Sequence, residues 1–259
     1  APPGSVPKFA PEVGARESEV SMNNHASIIK QYLKDRASVA IQPQGYPFVT
    51  ISRQAGAGGH TLARNILIKL EALYPKHGGD GWDVFDQKLC ALIAQDDKIG
   101  YSFDALVTEE YRSEISQVIH ELIRQKASRY AAYKRVFEVV RLLATLGKCV
   151  IVGRAGMCVT ADMPLGVHVR LVASRETRIK NMMQLLETDE ISARDAIRKQ
   201  DRDRRRLVDD FFGKDIEEPG LYDLVINMDR VHSEEAAELI AHMLNQKLAR
   251  FPKKFALLA

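Results

Sequence analysis

Thr50-Ile51-Ser52-Arg53-Gln54-Ala55-Gly56-Ala57-Gly58-Gly59-His60-Thr61 is the stretch on which the fold turns. A β-branched run, Phe48 to Ser52, ends in a loop with Gly56, Gly58 and Gly59. The loop opens into a helical pattern, Thr61 to Leu73, whose Leu62, Ile66 and Leu70 fall on one stripe. A strand passing through such a turn into a helix aims backbone N–H groups and the positive end of the helix dipole at one point. Cradling a phosphate requires that arrangement. Without a ligand the stretch is an ordinary strand-to-helix connection, but its place at the head of an α/β pattern favours phosphate binding by residues 53–61. The loop departs from GxxxxGK[ST]: Arg53 stands where the first glycine belongs and Gly59 where the lysine belongs. That lysine normally reaches the terminal phosphates. Arg53 is the cation that could replace it, with His60 and Thr61 near the phosphates or a magnesium ion.

Working outward, strand signals recur at Trp82–Phe85, Cys149–Val152, Val167–Val172 and Leu224–Ile226. Helical segments lie between them, near 86–95, 108–147, 174–209 and 233–249. Alternation of this kind predicts a parallel sheet covered on both faces. Upstream, Ala26, Ile28, Ile29, Tyr32 and Leu33 give a short amphipathic helix that Pro43, Gly45 and Pro47 break, so residues 24–45 read as helix and linker. Residues 1–23, with Pro2, Pro3, Pro7 and Pro11 among small and charged residues, read as a disordered tail.

The 259 residues, 46% of them hydrophobic, carry a net charge of only +3, so composition gives no reason for a nucleic-acid or membrane partner. Apolar runs stay far below the roughly 20 residues of a membrane helix. Residues 1–23 lack the apolar block of a signal peptide. Cys90, Cys149 and Cys158 form no CxxC spacing, and the seven histidines show no metal-ligand spacing. These features together predict a cytoplasmic protein. Charge is nonetheless uneven: Arg194 to Arg206 holds seven basic residues and three aspartates. Helical spacing lets Asp195 pair with Arg198 and Lys199, and Asp201 with Arg204 and Arg205, as a solvated face would. The same tract suits phosphates, because arginine forks bind two oxygens at once. It has no interleaved aromatic residues, which disfavours nucleic acid.

Ser52-Arg53-Gln54 with Gly56-Ala57-Gly58-Gly59 resembles the lysine-free "SRQ/SREfGSGG" loop of the cytidylate kinase-like family. The resemblance continues through Phe85-Asp86, Val150-Ile151-Val152-Gly153-Arg154, Arg175 with Arg178, and Asp201-Arg202-Asp203-Arg204-Arg205-Arg206. It ends with Gly213-Lys214-Asp215 and Tyr222-Asp223-Leu224-Val225-Ile226-Asn227, and spans about Phe48 to Asn245. It implies an α/β, P-loop kinase-like three-layer fold with a five-stranded parallel sheet. The domain would run over 46–250, with a helical nucleoside-monophosphate-binding region near 86–147 and an arginine-rich lid near 194–219. Compared with cytidylate kinases proper, Val152 and Ala155 replace two aspartates around Gly153-Arg154, whereas Lys199, Asp203 and Arg206 fall where an Arg, an Asp and an Arg hold cytidine monophosphate.

The resemblance therefore implies phosphoryl transfer from ATP, with Mg2+ arriving with it, to a nucleoside monophosphate, CMP or dCMP first. Arg53, Arg204 and Arg206 are the expected catalytic cations. ATP phosphates would lie on Arg53, Gln54, Ala55, Gly56, Ala57, Gly58, Gly59, His60, Thr61 and Arg178. The acceptor would lie near Asp86, Arg154, Lys199, Asp203 and Arg206, with Thr61 or Asp86 as oxygens for the metal. Capping of a helix at Gln87 explains Asp86 equally well. A non-catalytic nucleotide sensor and a kinase for another small acceptor are the competing expectations, and the helices over 109–146 leave oligomerisation open.

Overall fold

Each strand predicted from the sequence is present in one sheet. The strands are β1 (Phe48–Arg53), β2 (Asp83–Phe85), β3 (Cys149–Val152), β4 (Gly166–Val172) and β5 (Leu224–Asn227), in the order β2-β3-β1-β4-β5 with every neighbouring pair parallel. The computed structural model describes residues 28–29, 31–32, 34–36, 46–73, 81–95, 102, 105–106, 108–123 and 130–250. The tail expected over 1–23, and Leu33 of the short N-terminal helix, lie outside the described residues.

Because a parallel sheet is buried on both sides, its strands alternate between two cores. Val49, Ile51, Val150, Val152, Val167, Val169 and Leu171 pack on one face against α1 (Gly59–Leu73) and α8 (Ser233–Ala249). The α1 stripe of Leu62, Ile66 and Leu70 is fully buried there, each side chain contributing about 1.5–3 kcal/mol. Phe48, Phe85, Cys149 and Ile151 line the other face, under α2 (Gln87–Gln95), α3 (Glu109–Leu122), α4 (Tyr130–Leu146) and the short α5 (Gly156–Val159). The result is the three-layer α/β arrangement expected from the alternating pattern.

One helical segment that the sequence period runs together is divided. The span 174–209 is α6 (Arg175–Leu186) followed by α7 (Glu190–Phe212), separated where Glu187 turns left-handed at φ 49°. Asp189 restarts the chain as an N-cap, its carboxylate accepting from Ser192 N at 2.8 Å. The cap signal was present in the sequence but the apolar period crosses it. The helices expected over 109–146 are α3, which ends at Leu122, and α4, which begins at Tyr130. Strand β1 runs one residue further than its β-branched run, to Arg53, and Trp82 is buried beside β2 rather than in it.

The helical residues near the N-terminus are part of the packed unit. Ile29 and Tyr32 are buried in the α2–α4 core, and Tyr32 Oη donates to Gly147 O at 2.9 Å. Arg36 Nη2 donates to Gly81 O at 3.2 Å. Phe211, Tyr133 and Phe137 stack with ring centroids 4.9–5.9 Å apart, which fixes the end of α7 on α4.

Candidate functional site

The β1–α1 loop leaves the carboxyl end of the sheet beside β3 and β4, the edge at which ligands collect in open parallel sheets. Two of its glycines are required by backbone shape, Gly56 at φ +81° and Gly58 at φ +82°; a Cβ on Gly56 would stand 2.4 Å from the Arg178 carbonyl oxygen. That close approach reflects how the loop is held. Ala55 N donates to Asp201 Oδ1 at 2.7 Å, Ala55 O accepts from Arg178 Nε at 2.8 Å, and Gly56 O accepts from Asn181 Nδ2 at 2.8 Å. Arg178 also pairs with Asp201, joining α6 to α7. Beneath these bonds Ala55 packs with Ile179, Met182, Ala193 and Ile197. Helices α6 and α7 therefore grip the outer side of the loop, through apolar packing and charge-assisted hydrogen bonds together.

Arg53 lies on the inner side. A Cβ on Gly59 would sit 3.2 Å from Arg53 Cγ, and one on Gly153 would sit 2.4 Å from Arg53 Nη1. The side chain thus runs across the position where a P-loop lysine would begin and ends against the turn after β3. Arg53 also lines a cleft of about 130 Å3 together with Gln54, Arg170, Arg178, Asp201, Arg204, Arg205, Ile216 and Glu217. Five arginines face two carboxylates there, a surplus of three positive charges in a protein whose total is +3. Such a concave concentration of one sign of charge draws anions. Arg205 Nη2 donates to Glu217 Oε1 at 2.8 Å, and Arg204 lies 3.6 Å from Asp201 and donates to Gln200 Oε1 at 2.9 Å.

The structure separates the remaining expected residues. Lys199, Asp203 and Arg206 are exposed on α7 and do not line this cleft. His60 and Thr61 are exposed in the first turn of α1. Gln54 buttresses the loop from β4: its N–H donates to Leu171 O at 3.0 Å, and its Oε1 accepts from Ala173 N at 3.1 Å. Asp86 caps α2, its Oδ1 accepting from Leu89 N at 3.0 Å. Arg154 leaves β3 through three successive left-handed residues, Gly153, Arg154 and Ala155 at φ 88°, 55° and 52°, and its guanidinium bonds Gln87. A non-glycine residue held in that region costs of order 1–3 kcal/mol, and such conformations cluster at functional sites.

Sequence reasoning missed Ser52, Arg170, Asn181 and Tyr222. A signal for two of them existed: Thr50 and Ser52 on β1, and His168 and Arg170 on β4, are polar at alternate positions of strands otherwise apolar on both faces. His168 Nδ1 lies 2.8 Å from Thr50 Oγ1, and burial pushes its pKa well below 6.5, so it is a neutral imidazole inside the sheet. Burial pushes the Cys90 thiol up to about 12 and the Cys158 thiol up to about 11, which removes both as nucleophiles. Among the described residues no group of three or more His, Cys, Asp or Glu could hold a metal ion, and no helix is long and apolar enough to cross a membrane.

The sequence matches the Cytidylate kinase-like family over residues 48–230. The chain belongs to that family. The match takes in β1, the gripped loop, Arg154 and all of α7, and it supports a nucleotide kinase-like phosphotransferase. No curated protein matches the sequence significantly. Among solved structures, an uncharacterized protein from Eubacterium ventriosum is 18% identical and has a TM-score of 0.56, with coverage of 77% of this chain and 98% of that one. The likeness extends to fold alone. Shikimate kinase from Bacteroides thetaiotaomicron is 13% identical and overlaps more loosely, with a TM-score of 0.42 over 78% of this chain and 98% of that one.

Proposed function

We propose that the protein transfers the terminal phosphoryl group of MgATP to a nucleoside monophosphate, with CMP and dCMP the first acceptors to test. The observation that carries this reading is Arg53: its side chain fills the space left by Gly59 and Gly153. A cation so placed does the work of the missing lysine, neutralising charge on the transferring group. The ATP phosphates lie on the loop over 53–61, with Arg178 and Arg204 facing them from the α6–α7 side. The segment 194–219 is the lid, and Mg2+ enters with the nucleotide; Thr61, exposed in the first turn of α1, would share its coordination.

The acceptor binds where β2 and β3 end, near Arg154 in the region 86–147. A phosphate acceptor fits this site better than a hydroxyl one. A hydroxyl needs a carboxylate base, and one oxygen of the Asp86 carboxylate is already engaged in capping α2. A monophosphate is already ionised near neutral pH, so positioning and charge neutralisation suffice. In this reading Lys199, Asp203 and Arg206, exposed on α7 and outside the donor cleft, come onto the acceptor as the lid closes.

The test is transfer from MgATP to CMP, dCMP, UMP, AMP and GMP, beside an ATP titration. Diphosphate formed from CMP or dCMP, and lost in Arg53→Met, is the expected result. ATP binding with no product from any monophosphate would overturn the phosphotransferase reading in favour of a nucleotide sensor or of another acceptor.

A further inference from the structure

The polar stripe inside the sheet ends under the cleft. Ser52 on β1 is in register with Arg170 on β4, two residues beyond the Thr50–His168 pair, so all four side chains emerge on one face. Arg170 is 5% exposed, yet it lines the cleft. Its Nη1 donates to Ser52 Oγ at 2.9 Å, and its guanidinium lies 5.9 Å from the Tyr222 ring centroid. Tyr222 Oη donates to Ile216 O at 2.7 Å and lies 3.3 Å from Ser52 Oγ, so the ring and the serine are both held in place.

Among the described residues Arg170 makes no ion pair, whereas Arg178 and Arg204 face Asp201 and Arg205 faces Glu217. A guanidinium never deprotonates, so burying one without a carboxylate is costly unless an anion completes it. Ser52 engages one terminal nitrogen, Tyr222 lies beside the guanidinium, and the side chain borders the cleft, where an anion could meet it. Structural pinning of β1 to β4 needs only the single bond to Ser52, which a neutral side chain would supply without a buried charge.

We propose that Arg170 is the floor of the anion site: it binds oxygens of a diphosphate or triphosphate group held in the cleft, while Ser52 and Tyr222 fix the guanidinium. The inference deepens the phosphotransferase reading and rests on the cleft being the site of the donor phosphates.

Pyrophosphate and ATP are titrated separately, by calorimetry, into the full chain and its Arg170→Met variant, and the melting temperature of each protein is recorded without ligand. At least tenfold weaker binding of both ligands, with a melting temperature equal to or above that of the unsubstituted protein, is expected: removing an uncompensated buried charge does not harm the empty fold. Unchanged pyrophosphate affinity overturns the assignment, including the case in which only ATP binding falls. If the unsubstituted protein binds ATP and the variant binds it equally, Arg170 is removed and the phosphotransferase reading stands. If the unsubstituted protein binds neither ligand, both fail. Should Arg170→Met not fold, Arg170→Lys carries the test, since a lysine keeps the charge but not the fork; it is expected to bind pyrophosphate several-fold more weakly, and unchanged affinity overturns the proposal.

Discussion

Helix α7 has two stripes of nearly the same composition with different surroundings. Ile197, Asp201, Arg204 and Val208 face the loop and core, buried or half-buried. Lys199, Asp203 and Arg206 repeat the same i, i+4, i+7 spacing on the exposed side. Asp201 accepts a backbone N–H of the β1–α1 loop at 2.7 Å, while Asp203 is exposed. A basic tract read from composition is therefore two devices, and only the docking of α7 on α6 and the loop tells which is which.

The largest expected effect lies at the target of the inward stripe. Arg53→Met should lower phosphoryl transfer by about 10^3-fold, the lower end of what a transition-state arginine supplies. ATP affinity and folding should change far less, because Arg53 lies inside the cleft rather than in a core. Turnover within tenfold of the unsubstituted enzyme would detach the cleft from the chemistry. Next, Arg204→Gln and Arg206→Gln set the two stripes against each other: about 10^2-fold loss is expected for Arg204, as for one preorganised charge donor. For Arg206 the loss should stay below about tenfold. The reverse ranking would mean that the outward stripe is the one that meets phosphate.

Asp201→Ala probes the grip itself. It leaves Ala55 N–H and Arg178 without their carboxylate, at a cost of about 2–3 kcal/mol in chemical denaturation. A change below about 0.5 kcal/mol, the range of ordinary surface substitutions, would make that contact incidental. Acid tests the buried stripe that continues beneath the cleft. His168 titrates well below 6.5 in the folded protein, so below that pH the unfolded chain binds more protons and stability falls. About 1 kcal/mol should be lost per pH unit as acidification proceeds from pH 6.5, and His168→Asn should flatten that slope.

Much of this was legible in the sequence, and the reasons are specific. The strand, turn and helix over 48–73 announced the loop because glycine at φ +81° and +82° has few substitutes. The absent lysine drew attention to Arg53, although its path over Gly59 and Gly153 could not be read, since it depends on a turn a hundred residues away. Arg170 was not found, because the polar alternation it shares with Thr50, Ser52 and His168 shows as one stripe only when β1 and β4 are laid side by side in register. The orientation of α7 was likewise out of reach: the two stripes differ by two residues along one helix, and the choice between them rests on Ala55, Ile179 and Met182, which come from elsewhere in the chain.

The smallest expected effect is the sharpest test of that orientation. Asp203→Ala removes a carboxylate that is exposed in the structure, so stability should stay within about 0.5 kcal/mol and the acceptor KM within about twofold. The family resemblance places Asp203, Lys199 and Arg206 on the acceptor, and that would require α7 to rotate or close over the sheet edge during turnover. A tenfold rise in acceptor KM with unchanged stability would establish such a movement. It would also give the two stripes different ligands, the inward one the donor phosphates and the outward one the acceptor.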